Sequence, residues 1–363
     1  MRIGFDARMI DHPGIGRYIS ALLGVFCKYP EDHKLSLFGD PEKLARYAAA
    51  GKVDIVPWEL PVYPLWEYLW MGLPKIKIDF LHVPHFNIPL FYGGKMVVTI
   101  HDLIYLLFPR SLPSPFARHY ARFMIETTLK RADRIIAVSD YTKRDILKHF
   151  GAAYADKITV IHEAVDDVFK KVTDKARLAD VRCRYRIGEK VLLYVGTVKP
   201  HKNLGKLLDV FQQLKAWGIP HQLVICGRWD NKEDRLKKYI DHRSVLYLGE
   251  IPVSDLVVLY NIAEVLVHLS LYEGFGLTVL EAMKCGTPVV VSDLSSLPEV
   301  AGKAAFHVDP NDPKKIADTV YNILINPQLR AGMVDAGYEN VKRFSWEKTA
   351  LETLGVYKEV IKL

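Results

Sequence analysis

Cysteine is scarce in this chain. Its 363 residues include only Cys27, Cys183, Cys226 and Cys285, and no two stand close enough for a Cys-x-x-Cys pair. That argues against a zinc site or a disulfide framework and fits a reducing cytoplasm. Long apolar runs are missing too: no stretch approaches the roughly 20 residues that cross a bilayer. The start, Met1-Arg-Ile-Gly-Phe-Asp6, enters a strand-like run at once, without the layout of a signal peptide. Low-complexity tracts are absent, and Pro and Gly are scattered without period, which excludes collagen-like and linker-dominated chains. No zinc finger, helix-turn-helix or aromatic RNA-reading motif occurs, so nucleic acid is not the expected partner.

What is present is a chain that is 50% hydrophobic and 25% charged, too long for one ordinary core and suited to two domains. The net charge is +7, which suits nucleotide phosphates or an anionic lipid surface. The expected location is the cytoplasm, either free or peripheral at the inner face of a membrane.

Continuous apolar runs alternate with helical patterns. Strands are expected at 96–100, 134–138, 157–161, 191–195, 222–226, 245–248, 265–269 and 288–292. Such runs, rather than alternating ones, suit strands covered on both faces. Helices are expected over 115–130, from the Ser139 N-cap to about Phe150, over 204–216 and from about Leu277. The repetition predicts an α/β fold with doubly wound parallel sheets. A charged stretch at 169–190 interrupts it. The expected division is a first domain over 1–170, a second over 171–345, and a closing helix over 346–363 that packs back on the first.

The densest signal is Ser270-Leu-Tyr-Glu273-Gly-Phe-Gly276-Leu-Thr278-Val-Leu-Glu281. It follows a strand. Gly274 and Gly276, with Phe275 between them, loosen the turn and let a ligand approach the backbone. The helix opening at Leu277 and Thr278 then offers free N–H groups and its dipole to a diphosphate. Glu273 precedes that helix and Glu281 lies about one turn inside it. At roughly 1.5 Å per residue, the two can serve opposite ends of a ligand on the order of 10 Å long. Carboxylates suit the vicinal hydroxyls of a sugar at one end and a ribose at the other. The bland alternative is a capping acid and a solvated helix residue.

This pair of glutamates, with the run from Val289 through Pro298-Glu299 to Gly302, Gly249, and Phe306-His-Val-Asp309-Pro310-Asn-Asp312, resembles the family 4 glycosyltransferases. The resemblance implies a GT-B fold, with two Rossmann-like domains facing across a cleft, and a retaining transferase using a nucleotide-diphosphate sugar. Other parts of the chain are similar to the same family. Gly196-Thr197-Val-Lys199-Pro200-His201-Lys202-Asn203 matches its basic loop, with Lys202 in the place of the phosphate-binding lysine and Lys199 beside it. Either lysine would neutralise a leaving diphosphate. Thr197 and His201 stand where relatives often carry Arg, and neither reproduces its bidentate fork. Asn203 is a candidate cap for the following helix.

In the first domain, Pro13-Gly14-Ile15-Gly16-Arg17-Tyr18 resembles the family's glycine loop, and Arg17 adds charge. His101, after the strand 96–100, resembles the family's cleft histidine that contacts the donor sugar. Asp102 is expected to orient that ring or to lie near the acceptor. Ser139 and Lys143 are candidates for the acceptor side, with capping and solvation as the alternative. Glu163 is left undecided. The aromatic run 61–71, beside Arg118, His119, Arg122, Lys130 and Arg131, suits a membrane interface and a lipid-linked acceptor. Ordinary core plus a solvated face explains it as well.

The catalytic set expected from this reading is therefore His101, Glu273 and Lys202. No acidic pair has metal-ligand spacing, so neither a metal nor any cofactor beyond the sugar nucleotide is expected. GDP-mannose is the first expectation for the donor, passed to a glycan or lipid-linked sugar, since the chain looks like mannosyltransferases of surface-polysaccharide synthesis. UDP-glucose or UDP-N-acetylglucosamine as donor, a GT-B sugar-nucleotide epimerase, and a non-catalytic nucleotide-binding protein stay open. The loops near Gly227-Arg228-Trp229 and 250–256 that would read the base give no decision.

Overall fold

A computed structural model describes residues 1–29, 33–48, 53–58, 76–108 and 116–363. The chain divides into two units, one formed by Met1–Glu163 with Ser345–Leu363 and the other by Ala164–Phe344. Among the described residues each unit is built on one all-parallel sheet.

The first sheet contains β1 (Arg2–Asp6), β2 (Lys34–Gly39), β3 (Val53–Pro57), β4 (Phe80–Val83), β5 (Met96–Ile100), β6 (Arg134–Ala137) and β7 (Ile158–Val160). Their order across the sheet is β3-β2-β1-β4-β5-β6-β7. The central strands β4 and β5 are buried at every position, because helices cover both faces and leave no polar side. The core includes Leu81, Val98, Ile100, Met124, Leu129 and Ile135.

The second sheet contains β8 (Val191–Val195), β9 (Gln222–Cys226), β10 (Val245–Gly249), β11 (Val265–His268), β12 (Val289–Ser292) and β13 (Phe306–Val308). Its order, β10-β9-β8-β11-β12-β13, is the doubly wound Rossmann arrangement, in which the order reverses between the first strand and the fourth. The Leu204–Ala216 helix packs Leu207, Leu208, Phe211 and Leu214 into this unit's core.

The chain passes from one unit to the other between Glu163 and Ala164, ahead of the boundary at 170/171 that the charged stretch suggests. The cause is packing. Phe169 is fully buried with its ring 6.0 Å from that of Tyr260. Lys284 Nζ donates to the carbonyls of Val165 and Asp166. These contacts tie the chain after Glu163 to the second unit.

The last helix, Trp346–Lys362, is capped by Ser345, whose side chain accepts from Lys348 N. It belongs to the first unit. Tyr357 is fully buried, with its ring 4.8 Å from Phe80 and its hydroxyl 2.5 Å from His82 Nδ1. Thr349 Oγ1 donates to the carbonyl of His162 at 2.7 Å. The helix expected from Pro115 is observed over Ala117–Arg131. The aromatic run 61–71 lies outside the described residues. The cysteines are all free.

Candidate functional site

β8 and β11 are neighbours at the reversal of strand order in the second sheet. Loops leaving two such strands run to opposite faces and open a crevice at their carboxyl ends. The β8 loop delivers Gly196, Lys199 and Lys202, and the β11 loop delivers Glu273 through Gly276. They meet in an ion pair: Lys202 Nζ donates to Glu273 Oε1 at 2.6 Å and to Oε2 at 2.7 Å. His268, the last residue of β11, sets Nε2 at 2.7 Å from the same Oε1. The two side chains of the ion pair are 20% and 13% exposed. Burial alone would raise the Glu273 carboxyl, but the Lys202 charge and the His268 hydrogen bond outweigh it and hold that carboxyl well below its ordinary range.

The turn after Glu273 is pinned by two serines. Ser296 Oγ donates to the carbonyls of Glu273 at 3.0 Å and Phe275 at 2.7 Å. The Glu273 N–H donates to Ser295 Oγ at 3.1 Å. Phe275 is buried, edge-on to Phe344 at 5.6 Å. Gly276 lies at φ 116° and stands at the N-cap of the Leu277–Lys284 helix. It has no side chain with which to cap, so no cap side chain accepts from the first-turn amides, those of Leu277 and Thr278 among them. Further along this helix Glu281 is buried, and its Oε2 accepts the Tyr260 hydroxyl at 2.7 Å. Tyr260 is held in turn by Thr287, whose hydroxyl donates to its carbonyl.

The basic loop departs from expectation at Asn203. This residue takes a left-handed backbone, φ 56°, directly after the Pro200–Lys202 turn, and its side chain caps nothing. Reversal of the chain there decides the matter, since Asn tolerates that conformation better than most residues. His201 is buried. Burial, with the Lys202 charge, lowers its pKa to about 3, so it stays neutral and adds no charge to the loop. Lys199 and Lys202 are therefore the loop's cations.

In the first unit Gly14 sits at φ 87° as the N-cap of the Ile15–Lys28 helix. Any Cβ at Gly16 would lie 2.1 Å from the Ile10 carbonyl oxygen. Backbone geometry thus accounts for both glycines. Arg17 is half-buried in the first turn of that helix.

His101 follows β5, with Nδ1 2.9 Å from Glu163 Oε1 and Nε2 3.1 Å from the Pro84 carbonyl. The Tyr18 ring meets His101 edge-on at 5.0 Å. The carboxylate on Nδ1 is that of Glu163, whereas Asp102 Oδ1 accepts from the Ile104 N–H and starts the short Ile104–Leu107 helix. The sequence signal for Glu163 is its place after β7, at the carboxyl end of its strand as His101 is of β5. Ser139 caps the Asp140–Phe150 helix by accepting from Thr142 N, and Lys143 Nζ donates to the Ile158 carbonyl at 2.7 Å. Internal bonding thus accounts for both side chains.

Comparison with known proteins adds a second line of observation. Residues 184–340 match the family described as Glycosyl transferases group 1, and residues 14–169 match Glycosyltransferase Family 4. The chain is 32% identical over 293 residues to the Escherichia coli O-antigen chain mannosyltransferase B, covering 79% of this chain and 76% of that protein. It is 31% identical over 268 residues to the Salmonella typhimurium O-antigen chain mannosyltransferase RfbU, covering 72% of this chain and 69% of that one. The solved sucrose-phosphate synthase of Thermosynechococcus elongatus superposes with a TM-score of 0.75 at 21% identity, over 100% of this chain and 99% of its own.

Proposed function

Because the chain belongs to the family 4 glycosyltransferases and has their GT-B fold, we propose that it transfers mannose from GDP-mannose, with retention of configuration, to a glycan or lipid-linked sugar. One observation carries the donor site: the Lys202–Glu273 ion pair lies beside a helix N-terminus that no side chain caps. In this reading the diphosphate lies on the amides of Leu277 and Thr278 and takes its counter-charge from Lys199 and Lys202. Glu273 binds hydroxyls of the sugar. Glu281, held on Oε2 by Tyr260, binds the ribose. His101 is assigned to the donor sugar by the family resemblance. The leaving phosphate takes the acceptor's proton. Mannose is supported by the two O-antigen mannosyltransferases to which the chain is similar.

In this reading Lys199 and Lys202 balance the diphosphate charge without a metal. Turnover of GDP-mannose is therefore expected to persist in excess EDTA and to give an α-linked product from the α-configured donor. Loss of turnover on chelation counts against the metal-free charge balance, and a β-linked product against retention.

The acceptor side is proposed to meet an anionic membrane surface. No helix among the described residues is long and apolar enough to cross a membrane. The Ala117–Arg131 helix exposes Phe123 together with Arg118, His119 and Arg122, and Phe116 just before it is 79% exposed. Lys130 and Arg131 are already engaged, with Glu126 and with the Leu90 and Tyr92 carbonyls. Exposed rings beside cations suit a headgroup layer. Sedimentation with phosphatidylglycerol vesicles at low salt is expected, and it should weaken on replacing Phe116 and Phe123 by Ser. Equal sedimentation of the double variant would rule this face out.

A further inference from the structure

We propose that His268 is a positioning residue for the donor sugar, holding one oxygen of Glu273 while Lys202 turns to the diphosphate. This rests on the sugar-binding role given to Glu273 above.

His268 ends β11, a strand otherwise made of Val265, Leu266 and Val267. A fully buried strand of this kind asks for an apolar residue. The imidazole is 2% exposed, and its Nδ1 is buried with no hydrogen-bond partner. A bare lone pair is tolerated there better than an N–H without an acceptor. The ring therefore carries a hydrogen on Nε2, the nitrogen that faces Glu273 Oε1 at 2.7 Å and Ser270 Oγ at 3.2 Å. Leaving a polar nitrogen unsatisfied in a core is locally unfavourable, and such exceptions to local consistency concentrate at functional sites.

The two groups on Glu273 differ in what they can do. Lys202 is a cation on a long flexible stem, and it contacts both carboxylate oxygens. A diphosphate competes for it directly. His268 is short, rigid and fixed at the end of a strand, and it contacts Oε1 alone. It has nothing to offer that favours a phosphate over a carboxylate. When Lys202 moves, Oε1 stays held by Nε2–H, and Oε2 is left with its lone pairs for a sugar hydroxyl. Without His268 the carboxylate would rotate as soon as its cation left. The other titratable groups acting on this cluster are His201, Tyr194 and Lys199. Of these, His201 and Tyr194 are buried and neutral.

The test uses the full chain with GDP-mannose, and UDP-glucose where that is inert, and compares His268→Leu, His268→Gln, His268→Asn and Glu273→Gln. Leucine suits the strand and should leave the thermal midpoint unchanged or raise it. Its kcat/KM is expected to fall about 10- to 100-fold, the usual scale for misplacing a reacting group. The acid limb of kcat/KM should move to higher pH, since a hydrogen bond to the ionised carboxylate is lost. The glutamine amide stands where Nε2 stood, so that variant should recover most of the rate and return the acid limb. The asparagine amide stands where Nδ1 stood and should recover neither. Wild-type kcat/KM and an unmoved acid limb in the leucine variant, with Glu273→Gln inactive, would overturn the positioning role alone. An active Glu273→Gln would overturn the donor reading and this inference with it. Should the leucine variant not fold, the contrast between glutamine and asparagine decides: equal activity in the two overturns the proposal.

Discussion

Replacing Lys202 by Met is expected to abolish measurable transfer and to destabilise the second unit by about 3–5 kcal/mol, the usual cost of removing one partner of a buried ion pair. Glu273 would be left largely enclosed without the lysine charge, keeping only its contact with His268. Its carboxyl would rise toward neutrality and take up a proton, so the site would lose both a phosphate cation and an ionised sugar ligand. Glu273→Gln alone should cost less stability, because the flexible lysine can turn its ammonium toward water. Its transfer rate should still fall by about 10²–10³-fold, the scale seen on removing one preorganised polar group from an active site. The informative variant is the double one. Lys202→Met with Glu273→Gln leaves no uncompensated charge, so urea unfolding should show most of the lost stability restored while initial rates stay at background. A double variant no more stable than Lys202→Met would show that the ion pair is not the source of the instability. An active Lys202→Met enzyme would remove the lysine from the donor site.

The sequence exposes some of this arrangement and hides the rest, for identifiable reasons. The strands Val191–Val195 and Gln222–Cys226 and the helix Leu204–Ala216 are legible to the residue, because each is an uninterrupted apolar run or stripe between turn-forming residues. β4 is not legible. Phe80-Leu-His-Val83 carries a histidine that makes sense only once Tyr357, 275 positions away, is seen to bond it. The glycine-rich turn after Glu273 and the helix start suggest a diphosphate site from local pattern, and the basic loop joins them through the family resemblance. That Lys202 and Glu273 pair with each other does not follow from either segment; it follows from β8 and β11 being adjacent at the reversal of strand order. The partners that fix the site residues are hidden for a related reason. His268 reads as part of a strand, Tyr260 as a core aromatic, Ser295 and Ser296 as turn residues, and Glu163 as an isolated acid. Each acts through a contact made by tertiary packing, while local pattern describes only the element it sits in. Gly16 shows the opposite case: the family resemblance suggests ligand approach, yet the close Ile10 carbonyl already requires glycine there.

The first unit should lose stability steeply as the pH falls below neutrality, well before its carboxylates titrate. His82 is fully buried, with Nδ1 against the Tyr357 hydroxyl and Nε2 2.8 Å from Thr99 Oγ1. Burial, then the nearby His101, lowers its pKa to about 3. His85, also buried, is held well below its ordinary value by burial and by His101, His12 and Arg8. The sign follows from linkage. Between an unfolded-state pKa of about 6.5 and the depressed native value, the unfolded chain binds protons that the folded one refuses, so stability is present above the unfolded pKa and lost as pH falls below it. Each such histidine contributes a slope of about 1.4 kcal/mol per pH unit once well inside that window. His82 alone amounts to about 2 kcal/mol by pH 5, and His85 adds in the same direction, against the 5–15 kcal/mol typical of a domain. Urea unfolding followed by circular dichroism at pH 8, 7, 6 and 5 should show this fall. His82→Phe should reduce the slope by about 1.4 kcal/mol per unit, even though it lowers stability at pH 8 by stranding the Tyr357 hydroxyl and leaving Thr99 with only its bond to the Tyr18 hydroxyl. Stability that is flat or rising from pH 7 to pH 5, or a slope unchanged in His82→Phe, would mean that His82 accepts a proton within the native fold and that the Tyr357 helix is free to move away from the sheet to accommodate it.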